Sequence, residues 1–412
     1  MTEGGSRNLS PGYQAFLVGL LSLNFGILFF DRNAINFLFP FIKPDLNLSN
    51  EQVGLTAASL SFTWALAALV VGAAADRGGS RKAYLIGATF AFSVCSFLSG
   101  IASSFVLLLG TRLLMGVAEG GVAPISQSIV ASIVPAHRRG LAQGVMQNFG
   151  SNLLGAFVAP VILVGFAQTY GWRHAFFLAG LPGLISALLL WKFIDEPEHY
   201  APKSEKAAPE PLADRLRAVL AHRNLWLCGV ISVVLVAYLV TCWAFVPLYL
   251  TQVRGLPVDS MSWLMGTLGI SATVGSFAIS GLSDRIGRRP VMIFFAYFGA
   301  VLPLATLYYH GSTWTLAIVF FLGWALVGLF PLFMSTIPSE SVSPAHMTTA
   351  MALIMGLGEV LGGVLAPWLA GRVADQAGLA APLWIMLGLC LTAGTLGLAL
   401  VETAPSRVGA AR

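Results

Sequence analysis

Apolar runs of about 20 residues or more, separated by short polar turns, fill this chain from its first tenth to its last. A helix rises ~1.5 Å per residue, so ~20 apolar residues cross ~30 Å of hydrocarbon. The pattern predicts twelve spans near 14–40, 52–76, 82–103, 105–134, 138–168, 173–194, 224–252, 260–283, 290–309, 312–337, 345–375 and 379–402. The first run is too long for a signal-peptide core and reads as a retained span. The one sizeable polar break, Asp195 to Arg223, is rich in Pro, Ala, Lys and Glu and has the texture of a linker. It divides the chain into a six-helix bundle over 1–194, a cytosolic linker over 195–223 and a second six-helix bundle over 224–412.

The two halves repeat one another. Gly72-Ala-Ala-Ala-Asp76-Arg77-Gly-Gly79-Ser-Arg81 returns as Gly281-Leu-Ser-Asp284-Arg285-Ile-Gly287-Arg-Arg289, with the acid, the arginines and the last glycine offset by 208 positions. Gly155, Ala159-Pro160 and Gly171 return as Gly362, Ala366-Pro367 and Gly378 at an offset of 207. Six spans bring the chain back to its starting side, so the repeats are parallel and related by an axis along the membrane normal. The expected fold is an all-α membrane protein of twelve transmembrane helices in two bundles with pseudo-two-fold symmetry.

Composition removes the soluble classes. The chain is 57% hydrophobic and 10% charged, against about 25% charged in soluble proteins. A net charge of +5 suggests no nucleic-acid partner, because its distribution has another cause. Seventeen of 23 Lys and Arg fall in the tails, the linker and the turns on its side, among them Arg7, Arg77, Arg81, Lys82, Arg138, Arg139, Arg285, Arg288 and Arg289. The positive-inside rule then places both termini in the cytoplasm of a multi-pass inner-membrane protein, expected to be a monomer in the lipid bilayer.

The sequence holds no G-x-x-x-x-G-K-[ST] loop, no H-E-x-x-H and no G-x-S-x-G. Cys95, Cys228, Cys242 and Cys390 lie apart in apolar runs and read as buried thiols. The reading is a transporter rather than an enzyme, without a metal or cofactor, driven by an ion gradient or by exchange.

Ionisable residues inside spans carry the remaining information, since each costs roughly 2.5–3.5 kcal/mol on insertion scales unless paired or hydrated. Asp31 and Arg32 lie in span 1, and Arg112 and Glu119 share a face of span 4 two turns apart. They either form a static polar clamp or meet a travelling ligand and proton. Glu359 in span 11 falls opposite Asn152 of span 5 in the repeat register and could touch substrate, take a proton or hold helices together. Gln147 and Asn148 in span 5 offer neutral hydrogen bonds. Tyr238 and Trp243 in span 7 supply aromatic faces that also suit core packing.

Twelve spans and paired G-x-x-x-D-R-x-G-[RS]-[RK] loops resemble the major facilitator superfamily over nearly the whole chain. Phe30-Asp31-Arg32-Asn33-Ala-Ile-Asn36 with Pro40, and Arg112-Leu-Leu-Met-Gly116-Val-Ala-Glu119-Gly120, are similar to patterns of its anion:cation symporters, with spinster-like lipid transporters as neighbours. The resemblance implies an interdomain latch at Asp76, Arg77, Arg81, Asp284, Arg285 and Arg289. It also implies proton-coupled symport of a small organic anion, a sugar acid or other carboxylate, by alternating access. The substrate would lie at mid-membrane between 14–194 and 224–402, with Arg32, Asn36, Arg112, Gln147, Asn148, Tyr238 and Trp243 facing it. Asp31, Glu119 and Glu359 would carry protons. A spinster-like lysolipid carrier or a drug/proton antiporter is the alternative. The vesicular glutamate branch has a basic residue in span 7, and none stands here.

Overall fold

The computed structural model describes residues 10–75, 80–135, 138, 142–194, 217, 219–343, 346–404 and 407. Among the described residues 88% are helical and none lies in a strand. Helices α1 (Pro11–Asp45), α3 (Arg81–Gly100), α4 (Phe105–Ile133), α5 (Ala142–Tyr170), α6 (Trp172–Phe193), α7 (Arg223–Val253), α8 (Val258–Ile286), α9 (Arg288–Tyr308), α10 (Thr313–Ser341), α11 (Thr349–Ala377) and α12 (Ala381–Leu398) are long and apolar enough to cross a membrane. Helix α2 (Asn50–Ala75) stands in the place of the second span.

Contacts gather the chain into two units, one of Met1–Leu38 with Thr63–Ala208 and one of Phe39–Phe62 with Pro209–Arg412. In the first unit α3 lies against α6 along small residues. A Cβ on Gly183 would overlap Ser93 Oγ, and one on Gly180 would sit 3.0 Å from Ser96 Cβ. Such close approach substitutes for a hydrophobic driving force, which lipid does not supply between helices. Ser80 and Ser104 cap α3 and α4 by accepting from the Ala83 and Leu107 N–H groups.

In the second unit α7 is the central element, with Ser232, Leu235, Cys228, Phe245 and Leu248 all buried. The segment 39–62 is fastened to α11 in this unit. The Asp375 carboxylate accepts from the N–H groups of Asn50 and Glu51, each at 2.8 Å, while Trp368 Nε1 donates to Glu51 Oε1 at 2.9 Å. Asp375 thereby satisfies two orphan donors at the N-terminus of α2. A Cβ on Gly54 would overlap the Pro367 carbonyl oxygen, so only glycine admits this approach.

The repeat is visible in the backbone. Both α5 and α11 widen into π-helical turns, over Ser151–Val158 and Gly358–Leu365, an offset of 207 at both ends. Each is followed by Ala-Pro and ends at a glycine of positive φ, Gly171 and Gly378, both at 86°. Pro160 and Pro367 lack an N–H and crowd the carbonyl four residues back, which displaces the helical ladder at the same place twice.

Candidate functional site

The charged residues of the first unit separate into two layers. Arg32, on α1, holds its guanidinium 5.5 Å from the Phe29 ring centroid and 5.4 Å from that of Trp64. Its Nη1 lies 3.9 Å from Glu119 Oε2; the Arg32 side chain is 16% exposed and that of Glu119 not at all. Both Glu119 oxygens are buried without a hydrogen-bond partner among the described residues. Glu119 ends the first straight portion of α4, Phe105–Glu119, and Gly120 follows, where a Cβ would meet the Trp64 carbonyl at 2.6 Å. The glycine break therefore lets α2 and α4 close around the carboxyl.

Asp31 points elsewhere. Neighbouring helical residues diverge by ~100°, and Asp31 turns into the bundle, where Oδ1 lies within hydrogen-bonding distance of Ser96 Oγ, 2.6 Å, and Oδ2 has no hydrogen-bond partner among the described residues. Asp31 and Arg32, though adjacent, form no ion pair among the described residues; Arg32 instead faces Glu119. Arg112 is fully buried over the Phe176 ring, with Nη2 donating to Ser99 Oγ and with Nε and Nη1 unpartnered among the described residues. Deeper along α1, Asn24 Oδ1 accepts from Thr89 and Ser186 at 3.2 and 2.8 Å. Thr89, Ser93, Ser96 and Ser99 thus give one face of α3 a run of hydroxyls. None of the four is ionisable, and only their i, i+4, i+7 spacing in an apolar helix marks this polar face in the sequence.

The other expected residues take separate places. Asn36 is half-buried on α1 one turn past Arg32, and Gln147 is half-buried in α5. The side chain of Asn148 lies outside the described residues, as do Asp76 and Arg77. In the second unit Tyr238 is fully buried, its hydroxyl donating to the Gly299 carbonyl at 3.0 Å and its ring 5.9 Å from that of Trp324. Trp243 meets Trp324 at 5.3 Å and is also buried. These aromatics build the bundle's interior. Glu359 is half-buried in the π-helical turns of α11; the position of a Cβ on Gly363 lies 3.3 Å from both its Oε2 and Ser61 Oγ.

At the other end of the second unit the centre of the charged turn is Arg288, not its neighbours. Arg288 Nη1 bonds Asp284 Oδ1 at 2.5 Å and Ser283 Oγ at 2.6 Å, and Nη2 bonds Glu340 Oε1 at 2.9 Å. Arg285 is exposed, while Arg289 donates from Nη2 to the Leu398 carbonyl at 2.8 Å. Arg81 is half-buried at the start of α3. Gly287, at φ 109°, ends α8 and starts α9, so a helical count carried through the turn mis-phases the arginines. Glu402 accepts from the N–H groups of Arg288, Arg289, Thr403 and Ala404 at 2.8–3.1 Å. Burial raises its carboxyl, but these four donors outweigh burial and hold it below the usual glutamate range.

Repeated six-helix bundles with buried charge in the first define a polytopic helical transporter. The chain belongs to the Major Facilitator Superfamily, whose family model matches residues 21–261 and 241–412. It is 24% identical over 384 residues to a probable sulfoacetate transporter, SauU, of Cupriavidus necator, covering 88% of this chain and 87% of that one. It is 30% identical over 291 residues to a hexuronate transporter of Bacillus subtilis, covering 67% and 65%. Among solved structures, a bacterial homologue of the human lysosomal transporter Spinster, inward-facing and unoccupied, is similar with a TM-score of 0.75 at 20% identity, covering 95% and 96%.

Proposed function

We propose that the protein is a proton-coupled symporter of a small organic anion, working by alternating access, with both termini cytoplasmic. The observation that carries this reading is the Arg32–Glu119 pair: a partly accessible guanidinium stands 3.9 Å from a fully buried carboxyl that makes no hydrogen bond among the described residues. A permanent structural bridge would close to hydrogen-bonding distance and occupy both groups. A pair left ajar suits an arginine whose planar fork takes a substrate carboxylate and a glutamate that takes a proton in exchange for its partner. The relatives named for sulfoacetate and hexuronate support an anion bearing a carboxylate or sulfonate. Asp31 belongs to the proton-handling set, and Glu359 offers a further acid in the second unit.

A second reading, carriage of a lysolipid or drug-like amphiphile, is favoured by the Phe29 and Trp64 rings against Arg32, which offer an apolar collar around one charge. Thermal-shift measurements against hexuronates, sulfoacetate and lysophospholipids separate the two. Liposome uptake of a stabilising compound under an imposed pH gradient then tests coupling. Symport predicts that Glu119→Gln abolishes proton-driven accumulation while counterflow exchange survives. Accumulation equal to that of the unaltered protein would overturn the coupling role.

A further inference from the structure

Ser96 stands between two acceptors with one proton to give. Its Oγ lies 2.6 Å from Asp31 Oδ1 and 2.9 Å from the Phe176 carbonyl oxygen of α6. A hydroxyl has one O–H donor and two acceptor lone pairs. It cannot donate fully to both neighbours, so for both short contacts to hold a proton at once, one proton must come from the other side. The Phe176 carbonyl has none. Asp31 can supply it, but only when it is protonated.

We propose that Ser96 is the positioning residue that lets Asp31 gain and lose its proton while buried, an inference resting on the proton-coupled reading above. With Asp31 protonated, its Oδ1–H donates to Ser96 Oγ, and the Ser96 O–H donates to Phe176. When the proton leaves Asp31 for water, Ser96 keeps its own hydrogen and turns it from the Phe176 carbonyl to the carboxylate. Each state then has a hydrogen bond where an unpaired buried group would be expensive. The Phe176 carbonyl tolerates the loss because, inside a helix, it also accepts from the following turn.

The surroundings make Ser96 the only hydroxyl holding this carboxyl among the described residues. Asp31 is fully buried and its Oδ2 has no hydrogen-bond partner among those residues. The titratable and charged groups around it are Arg32 on α1, Cys95 on α3, and Arg112 and Glu119 on α4. None of them forms a hydrogen bond or ion pair with it among the described residues, and α6 presents the Phe176 carbonyl. The small-residue contact of α3 with α6, where Gly180 faces Ser96, brings that carbonyl within reach.

The test is infrared spectroscopy of the full-length protein in nanodiscs, titrated with acid and base and no substrate. A carboxylic-acid C=O band that responds to pH and disappears in Asp31→Asn assigns the group. Ser96→Ala is expected to leave that band insensitive to pH over the range in which the unaltered protein responds, and Ser96→Thr to restore the response. In liposomes Ser96→Ala is expected to lose proton-driven accumulation by about tenfold or more while retaining exchange. A band that titrates in Ser96→Ala as in the unaltered protein overturns the proposal, as does loss of exchange and accumulation together in both Ser96→Ala and Ser96→Thr. Because the spectra need no cargo, a correct Ser96 response without anion uptake would refute symport and leave the positioning role standing.

Discussion

Arg32 shows how little of a charged residue's role lies in its charge. Its guanidinium is held by two aromatic faces and is 16% exposed at the side chain. Arg32→Lys preserves the charge but loses the planar fork and the stacking. A charge-assisted hydrogen bond contributes about 1.5–3 kcal/mol, so the anion's affinity should weaken by roughly tenfold or more. Calorimetric titration checks this, and lysine binding the anion as tightly as arginine would remove the bidentate role. Asp31, Arg32, Arg112 and Glu119 are legible in the sequence because an ionisable residue in an apolar run stands out. Their partners are not, since one step along a helix redirects a side chain by ~100°. Ser96 is hidden for a different reason. A serine in a helix commonly bonds its own preceding turn, as Ser93 does to the Thr89 carbonyl at 2.8 Å. Arg288 is hidden because the Gly287 turn resets the helical phase.

Elements are positioned by close approaches that the sequence marks only as glycine. At the α3–α6 seam a Cβ on Gly183 would overlap Ser93 Oγ and stand 2.9 Å from Phe92. Gly183→Ala should therefore destabilise the protein by about 1–3 kcal/mol, read as a lower melting temperature in detergent. Adding Ser93→Gly should recover much of the loss. An unchanged melting temperature in the single variant would show that the seam yields freely. A second element-scale device is the Glu402 carboxylate over the start of α9. Its folded pKa lies below its unfolded one, so its stabilising contribution is complete above the unfolded value of about 4.3 and is lost as pH falls through the lowered one. Glu402→Gln should flatten the acid-side fall of the melting temperature below about pH 5. Parallel curves for the two proteins would assign that fall to other groups. The paired π-helical turns of α5 and α11 are foreshadowed only by the Ala-Pro doublets. Apolar periodicity gives a helix its length and leaves its local winding open.

At the scale of the molecule, the repeat keeps the backbone alike and lets the side chains differ. The offset of 207 carries Gly171 to Gly378 with the same φ and the π-helical turns of α5 onto those of α11. Yet the same offset carries Gln168, exposed in the first unit, to Asp375, which in the second holds the N-terminus of α2. The offsets of 207 and 208 carry Arg32 to Leu239 and Val240, and Glu119 to Leu326 and Val327, so the Arg32–Glu119 pair has no charged counterpart there. The Arg32–Glu119 pair therefore belongs to one repeat and the Asp375 clasp to the other, a division that two identical halves could not make. Asp375 offers the sharper test because its two bonds are to backbone amides, whose opening can be followed individually. Asp375→Asn leaves one acceptor oxygen where there were two and removes the charge that favours a helix N-terminus. The amides of Asn50 and Glu51 should exchange with deuterium about tenfold faster, the equivalent of ~1.4 kcal/mol, while the amides around Ser96 keep their protection. Uniform acceleration across both regions would mean global loosening rather than release of a local clasp. No acceleration at Asn50 and Glu51 would show that the Gly54–Pro367 approach alone holds 39–62 against α11.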